Sequence, residues 1–232
     1  MKIPNNVVSI GDYAFSNCGK LTYVEMPSSV VSIGMSAFSD CGNLINIMIT
    51  ESVITIGCSS FEGTLDWKNH PDGLVYIDGW ACGYKGRLSR EITLKEGTRG
   101  IADNIFQECI DLQNVVIPNG VVSIGRQVFQ ECTGLTSLTI PSSVRNIGDF
   151  AFFYCTSLRE VHFQGNAPNV ETPASLYYEA ARDLTTYVLP GSKGWDGNPD
   201  STALPEHWCE RKIAHLPANH AKTRPAITTQ GK

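Results

Sequence analysis

The residues of this sequence with the clearest capacity for chemistry are its histidines and cysteines. None of the histidines stands in the HExxH spacing of a zinc hydrolase, and the chain has no GxSxG nucleophile motif and no phosphate-binding glycine loop. His207 and Cys209 flank Trp208 and suggest a thiol–imidazole pair, but no Asn that would orient the imidazole is recognisable. We therefore predict no catalytic residue and no enzymatic activity. The five histidines are His70, His162, His207, His215 and His220.

Five of the eight cysteines follow the spacing of a repeat, and none of the eight follows a metal-ligand spacing. Cys18 and Cys41 are 23 residues apart, and so are the neighbours in the series Cys109, Cys132 and Cys155. No CxxC or CxxH pair exists, so we predict no metal site and no cofactor. A cysteine that recurs once per repeat is typical of a small buried side chain, so we predict buried thiols. In an oxidising compartment, thiols on neighbouring rungs about 5 Å apart could form disulfides instead.

Composition excludes several classes of partner. The chain has 232 residues, 18% of them charged, and a net charge of −5 without a basic block. Nucleic acid and anionic membrane surfaces are therefore poor partners, and no apolar run approaches the roughly 18 residues that span a bilayer. The first residues, MKIPNNVVSIGDY, contain no signal-peptide apolar segment. This predicts either a cytoplasmic protein or a chain that lacks its export signal.

A repeat of 23 residues accounts for most of the sequence. One unit reads IPxxVxxIGxxAFxxCxxLxxVx, and its phenylalanine recurs in two series, which are Phe15, Phe38 and Phe61, and then Phe106, Phe129 and Phe152. A period of this length with apolar residues in LxxVxI spacing is typical of leucine-rich repeats, whose units fold only by stacking on one another. We therefore predict an α/β repeat solenoid with short parallel strands on its concave face.

Each part of the unit has a predicted conformation. The stretch 135–140, LTSLTI, alternates apolar and polar residues and predicts a short strand, which Pro141 ends. Gly148 is expected where a Cβ would clash. The stretch DFAFFYC predicts one turn of α-helix or 3-10 helix on the convex side, capped by Asp149 and with Phe152 in the core.

The repeat is interrupted twice. After Phe61, two apolar runs separated by Asp78-Gly79 predict an inserted β-hairpin. Its aromatic residues Tyr76, Trp80 and Tyr84 either pack on the neighbouring rungs or contribute to a binding surface. The predicted segments are repeats one to three in 1–64, the hairpin in 65–89, repeats four to six in 90–163, a degenerate repeat with a C-terminal cap in 164–215, and a disordered tail in 216–232.

The cap is predicted from the second interruption. After Phe163 one strand-like run, LTTYVLP, is followed by a stretch rich in Gly, Pro and Trp. A solenoid needs a cap over its last apolar rung, and we expect Trp195, Trp208 and Ile213 to supply it.

The outward positions of the predicted strands are the candidate binding residues. Because they alternate with inward apolar residues, they should line one concave face. They are either ordinary solvated strand residues or a shallow surface that binds a protein or peptide, and a small-molecule ligand is not expected there. We call this set the outer strand face, and its members are Tyr23, Glu25, Asn46, Met48, Glu91, Thr93, Asn114, Val116, Ser137, Thr139, Glu160 and His162.

The unit IPxxVxxIGxxAFxxCxxLxxVxI resembles the BspA-type leucine-rich repeat family. The hairpin sequence DGLVYIDGWACGYKGRLSREITL resembles that family's common insertion, and FQGNAPNV with YVLPGSKGW resembles its C-terminal ending. The resemblance covers roughly residues 1–215. The chain departs from it at Lys95 and Thr50, which replace Pro, at Thr98, which replaces Val, and at Ala102, which replaces Gly.

The resemblance implies a function that the spacing alone does not. Members of this family are typically surface or secreted proteins associated with adhesion to host matrix proteins and with cell aggregation. It therefore implies a cell-surface or secreted adhesion segment that binds a protein, such as a host extracellular-matrix protein, or a glycan. The alternatives are a structural spacer in a larger surface protein and an intracellular protein-interaction scaffold. The family has no agreed ligand motif, so no binding residue is carried over.

Overall fold

The computed structural model describes residues 1–216, and over this range the chain winds as a solenoid of short strands. Neither helix in that range is long enough to cross a membrane. In chain order the elements are β1 (Ser9–Ile10), β2 (Ser32–Ile33), β3 (Thr55–Ile56), α1 (Leu65–Asn69), β4 (Gly73–Ile77), β5 (Trp80–Lys85), β6 (Glu91–Thr93), β7 (Gly100–Ile101), β8 (Asn114–Val116), β9 (Ser123–Ile124), β10 (Ser137–Ile140), β11 (Asn146–Ile147), β12 (Glu160–Phe163), β13 (Asn169–Val170), α2 (Pro173–Leu176), β14 (Thr185–Val188), β15 (His207–Trp208) and β16 (Arg211–His215).

The strands form two ladders. The Ser-Ile ladder consists of one parallel sheet, β1-β2-β3, and a second sheet in the order β13-β11-β9-β7-β5-β4. The outer-strand ladder consists of the pair β6-β8 and the sheet β10-β12-β14-β16-β15, and β8 lies beside β10. All pairs within the ladders are parallel, except for the hairpin β4-β5 and the pair β15-β16. The predicted repeat solenoid with short parallel strands is confirmed.

Stacked phenylalanines form the spine of the core. The ring centroids of Phe15 and Phe38 lie 5.2 Å apart, and those of Phe38 and Phe61 lie 5.7 Å apart. A second stack joins Phe106, Phe129 and Phe152 at 5.5 and 5.7 Å. Both stacks belong to one hydrophobic cluster, as the repeat predicts. The period of 23 residues therefore places each ring on the ring of the next coil.

The convex segments differ from the predicted helical turn. Phe150 and Tyr154 both have positive φ, 58° and 55°, and Asp149 accepts a hydrogen bond from the N–H of Thr172 in the next coil, at 3.0 Å. The N–H of Phe129 donates to the carbonyl of Ala151, also in the next coil, at 2.9 Å. A helical turn would use its peptide groups along its own axis, whereas this conformation turns them toward the neighbouring coil. Asp149 therefore links coils and does not cap its own segment.

The repeated glycine is required by close approach between coils. A Cβ built on Gly148 would lie 2.5 Å from the backbone nitrogen of Arg126, and one on Gly125 would lie 2.7 Å from that of Asp103. The predicted clash at Gly148 is confirmed, and its source is the backbone of the preceding coil.

The cysteines that lie between two coils donate hydrogen bonds. The Sγ–H of Cys132 donates to the carbonyl of Phe106 at 3.0 Å, and that of Cys155 to the carbonyl of Phe129 at 2.9 Å. Both thiols are buried, as predicted, but Cys18 is exposed and Cys109 is half-buried. Cys18 and Cys109 are the first cysteines of the two series. The thiols that follow them in each series donate to a carbonyl of the preceding coil. All eight cysteines are free, so no cross-link replaces these hydrogen bonds.

The inserted hairpin is confirmed, and a short helix precedes it that the sequence did not predict. Asp78 and Gly79 form the turn between β4 and β5 with positive φ values of 43° and 79°. Helix α1 begins after Thr64, whose hydroxyl accepts from the N–H of Trp67 at 3.2 Å. Trp67 packs against Gly83 of the hairpin, where a Cβ would lie 2.4 Å from the ring.

The C-terminal segment first adds two strands to the outer-strand ladder and then covers the end of the core. The run LTTYVLP forms β14, which pairs with β12, and β16 pairs with β14. Trp195 is buried and contacts Phe163 and Trp208 edge to face at centroid distances of 5.1 and 4.9 Å. Ile213 is buried on β16. The predicted disordered tail, apart from Leu216, lies outside the described residues.

Candidate functional site

The outer strand face consists of side chains that point away from the core. All twelve of its predicted members are exposed or half-buried. The apolar residues that alternate with them are buried, namely Val24, Ile47, Ile92, Val115, Leu138 and Val161. Because adjacent side chains of a strand point to opposite sides, one register accounts for both sets.

The structure divides the outer strand face into two patches. Tyr23, Glu25, Asn46 and Met48 form the N-terminal patch, and the other eight residues lie on β6, β8, β10 and β12. The third repeat supplies no strand between them. Instead, the N–H of Ile47 donates to the carboxylate of Asp66 at 3.1 Å, and that of Ile49 to the carboxylate of Asp78 at 2.6 Å. Side chains of α1 and of the hairpin turn thus occupy the place of a strand.

The C-terminal part of the face is larger than the sequence predicts. Thr185 and Tyr187 on β14 stand in register with Glu160 and His162, and Lys212 on β16 stands in register with Thr185. These residues were missed because the spacing between strands lengthens beyond 23 residues after β12. The alternating run LTTYVLP was the available signal, since it has the pattern of one more outer strand. We call the eight predicted residues together with Thr185, Tyr187 and Lys212 the C-terminal patch.

The centre of the C-terminal patch holds an aromatic and charged group. The Nε2 of His162 lies 2.9 Å from a carboxylate oxygen of Glu160. The imidazole ring stacks on Tyr187 with a centroid distance of 5.1 Å and an interplanar angle of 21°. His162, Glu160 and Tyr187 are each half-buried, so their polar atoms remain within reach of a partner. Such a group offers a flat apolar surface and hydrogen-bonding atoms at its rim, which is the chemistry of a recognition surface.

The candidate thiol–imidazole pair lacks the features of a nucleophilic site. His207 is exposed on β15, whereas Cys209 is buried in the turn that follows, with a φ of 49°. Burial, and then the nearby charge of Glu210, raises the pKa of Cys209 to about 12. Catalytic cysteines require a lowered pKa, because the thiolate is the nucleophile. Within residues 1–216 no three His, Cys, Asp or Glu side chains converge in a way that could hold a metal ion.

Comparison with known proteins identifies the repeat. A model of the BspA type leucine rich repeat region matches six copies, over residues 1–89 and 81–192. No curated protein matches the sequence.

Three solved leucine-rich structures are among those similar to this chain. A leucine-rich repeat protein from Bacteroides ovatus is 24% identical over 81% of this chain and 54% of its own length, with a TM-score of 0.37. A leucine-rich repeat protein from T. pallidum is 22% identical over 86% of this chain and 78% of its own, with a TM-score of 0.30. The pneumococcal vaccine antigen PcpA is 18% identical over 90% of this chain and 60% of its own, with a TM-score of 0.49. The chain thus spans about half the length of the Bacteroides ovatus protein.

Proposed function

Because the chain belongs to the BspA-type leucine-rich repeat family, we propose that it is a non-enzymatic recognition module that binds a protein partner through the C-terminal patch. Repeat solenoids stack their units into extended surfaces and generally use those surfaces for binding. The proposed setting is a cell surface or the secreted fraction, where a host extracellular-matrix protein or a glycan would be the partner. Adhesion is the role that this setting suggests.

The observation that carries this proposal is the continuity of the C-terminal patch. Strands β6, β8, β10, β12, β14 and β16 lie side by side and present outward side chains over their whole width. The patch mixes carboxylate, hydroxyl, amide and aromatic groups, with His162 and Tyr187 near its middle. Interfaces are commonly anchored by aromatic residues surrounded by polar ones. The N-terminal patch is smaller and is separated from it by α1 and the hairpin.

A binding assay with matched variants tests the proposal. The full chain is immobilised and exposed to a panel of purified extracellular-matrix proteins and to a glycan array. We expect His162→Ala combined with Tyr187→Ala to weaken the binding of the captured partner at least tenfold, about 1.4 kcal/mol, because these rings form the centre of the patch. Tyr154→Ala is the control, since Tyr154 is an exposed tyrosine in a convex segment.

Two outcomes would contradict the proposal. Equal binding by the double variant and the Tyr154 control would show that the C-terminal patch is not the interface, and loss of binding in Tyr23→Ala with Met48→Ala would then assign it to the N-terminal patch. No binding to any matrix protein or glycan, together with full adhesion by a parent protein in which other repeats replace these, would identify the chain as a spacer.

A further inference from the structure

A tryptophan occupies an outward position of the Ser-Ile ladder where other coils carry small polar residues. Trp80 on β5 stands in register with Gly100, which stands in register with Ser123. The other residues at this outward position are Ser9, Ser32, Thr55, Asn146 and Asn169. Despite this position, Trp80 is only 2% exposed. Its ring is therefore covered, and Gly100 of the neighbouring coil is one of the residues against which it packs.

The indole ring is placed by Gly100 and leaves its N–H without a partner. A Cβ on Gly100 would lie 2.5–2.7 Å from three atoms of the six-membered ring of Trp80, so only glycine allows the ring to lie there. The indole nitrogen is on the other ring, away from this contact. Within residues 1–216 it is buried and has no acceptor. A buried donor without an acceptor is unfavourable, and a ligand that brings an acceptor would remove this cost.

The backbone ladder is open at the same place. The N–H of Ile54 donates to the carbonyl of Val31 at 2.8 Å, and the N–H of Arg99 donates to the carbonyl of Gly79 at 2.7 Å. Between these two rungs one hydrogen bond of the ladder is missing, although two residues further along the N–H of Asp103 donates to the carbonyl of Ile56 at 2.9 Å. Among the residues described, the carbonyl of Ile54 accepts no hydrogen bond and the N–H of Gly79 donates none. One donor and one acceptor of the main chain are thus available where a rung is missing.

A cleft of about 320 Å³ lies at this opening. Ile54 and Val122 line the cleft and are 39% and 44% exposed, as Val8 and Val31 are at the equivalent position of the first two coils. Arg99 also lines the cleft, but its guanidinium already donates to the carbonyls of Ile49 and Asp78. Glu51 is exposed and, within the described part of the chain, forms no ion pair. The cleft therefore combines apolar walls with one uncompensated carboxylate.

We propose that this Trp80 cleft binds an extended peptide segment of a partner protein, with a branched apolar side chain between Ile54 and Val122 and a lysine or arginine beside it that faces Glu51. When the segment binds, the side chains that cover the indole N–H of Trp80 move aside, so that this N–H donates to a main-chain carbonyl of the segment, and a main-chain N–H of the segment donates to the carbonyl of Ile54. Addition of a strand at an open edge is a common mode of peptide recognition.

The geometry disfavours a sugar as the ligand. Sugars bind to tryptophan by stacking on an exposed ring face, and the ring of Trp80 is covered by Gly100 on one side and is almost wholly buried. The cleft also lies on the Ser-Ile ladder and not on the outer strand face. Binding there is therefore independent of the function proposed for the C-terminal patch.

The indole signals of the four tryptophans provide a direct test by NMR. The probe is the capped tetrapeptide acetyl-Thr-Val-Thr-Lys-amide, titrated to millimolar concentration into the full chain. We expect the Trp80 indole N–H signal to move downfield, because it gains an acceptor, while those of Trp67, Trp195 and Trp208 stay in place. The peptide with Glu in place of Lys should bind at least threefold more weakly, and Glu51→Gln should remove this difference.

A pair of matched variants separates the cleft from general effects. Val122→Asp places a charge in the cleft wall and should abolish the Trp80 shift. Val8→Asp makes the same change at the equivalent, exposed position of the first coil, because Val8 and Val122 occupy the same place in the backbone ladder, and should leave the shift unchanged. The Trp80→Phe variant assigns the Trp80 indole signal, because that signal disappears from its spectrum. If Trp80→Phe does not fold, Phe variants of the other three tryptophans assign the Trp80 signal by elimination.

The outcomes that overturn the inference are specific. An unmoved Trp80 signal at millimolar peptide, or equal movement of all four indole signals, would show that the cleft does not bind extended peptide. A shift that persists in Val122→Asp would place the peptide elsewhere. Equal binding of the Lys and Glu peptides would refute the role of Glu51. We expect the peptide to move the Trp80 indole signal equally in the His162→Ala, Tyr187→Ala double variant. A failure of the cleft proposal can therefore be distinguished from a failure of the proposal for the C-terminal patch.

Discussion

Residues 1–64 and residues 90–216 contain the same repeat, yet they form different amounts of regular structure. In the first region the outer strands form a single bridge between Lys2 and Glu25, whereas in the second six outer strands lie side by side. Strand hydrogen bonds need a partner strand on the next coil, and the third repeat provides α1 and the hairpin instead. The comparison shows that a repeat sequence creates the capacity to pair, while the neighbouring coil determines whether pairing occurs.

The aromatic spine provides the largest contrast between the two regions. Phe129 is fully buried between Phe106 and Phe152, whereas Phe15 is half-buried and stacks on Phe38 alone. We expect Phe129→Ala to lower the free energy of unfolding by about 3–5 kcal/mol, because it removes a buried ring and leaves a cavity. Phe15→Ala should cost about 1–2 kcal/mol, since less of the ring is buried. Urea unfolding monitored by circular dichroism measures both, and equal losses would contradict the difference in packing.

The repeated glycine allows the two regions to be compared at a single position of the repeat. Gly11 and Gly148 occupy the same place in the repeat, but a Cβ on Gly11 meets nothing within 4 Å, whereas one on Gly148 meets backbone at 2.5 Å. We expect Gly148→Ala to destabilise the protein by about 1–3 kcal/mol through displacement of the preceding coil. Gly11→Ala should change stability by less than about 0.5 kcal/mol. Thermal unfolding of the two variants decides the matter, and a larger effect at Gly11 would refute the close-approach argument.

The smallest effect on the free energy of unfolding is expected at Asp103, which lies at the boundary between the two regions. This effect depends on pH. Asp103 accepts from the N–H of Arg126 at 2.7 Å, and its own N–H donates to the carbonyl of Ile56 across the boundary. Burial raises the pKa of Asp103 from 3.8 to about 6. Because the folded state favours the protonated acid, this group stabilises the fold below about pH 4 and loses that contribution as the pH rises through 6.

Asp103→Asn tests this pH dependence. The amide oxygen retains the acceptor for Arg126 and carries no charge, so we expect the variant to be more stable than the wild type by about 1–2 kcal/mol at pH 7 and nearly equal to it at pH 4. Urea unfolding at both pH values provides the measurement. A variant that is less stable at pH 7 would show that the carboxylate is favourable where it lies.

The parts of the structure that could be predicted from the sequence are those that follow the 23-residue period. Phe129, Cys132 and Gly148 were placed correctly because each contacts the same repeat position of a neighbouring coil at every turn, and the period itself specifies that contact. The conformation of the AFxxC segment was not predictable in the same way. Its positive-φ residues accept local hydrogen bonds, as Phe150 does from the N–H of Phe153, but the hydrogen bonds of this segment to the next coil depend on that coil and not on the local sequence.

The candidate site was predictable in its members but not in its shape. Alternation along each strand identified His162 and Glu160 as outward residues, because that pattern is local. The division into two patches was not predictable, since it arises from contacts of Asp66 and Asp78 with residues of the second coil. Tyr187 was missed for a related reason, because the spacing changes while the hydrogen-bond register continues.

The amino-acid sequence alone determined the stacking of the coils, the identity of the buried spine and the outward side chains of the strands, because these depend on a period that any stacked repeat must preserve. Only the tertiary structure decided where the stack is interrupted, which outward residues share one surface, and that Trp80 lies in a cleft with an unpaired indole N–H. These features depend on how the insertion meets coils distant in the chain, and the free energy of those contacts is not contained in any one repeat.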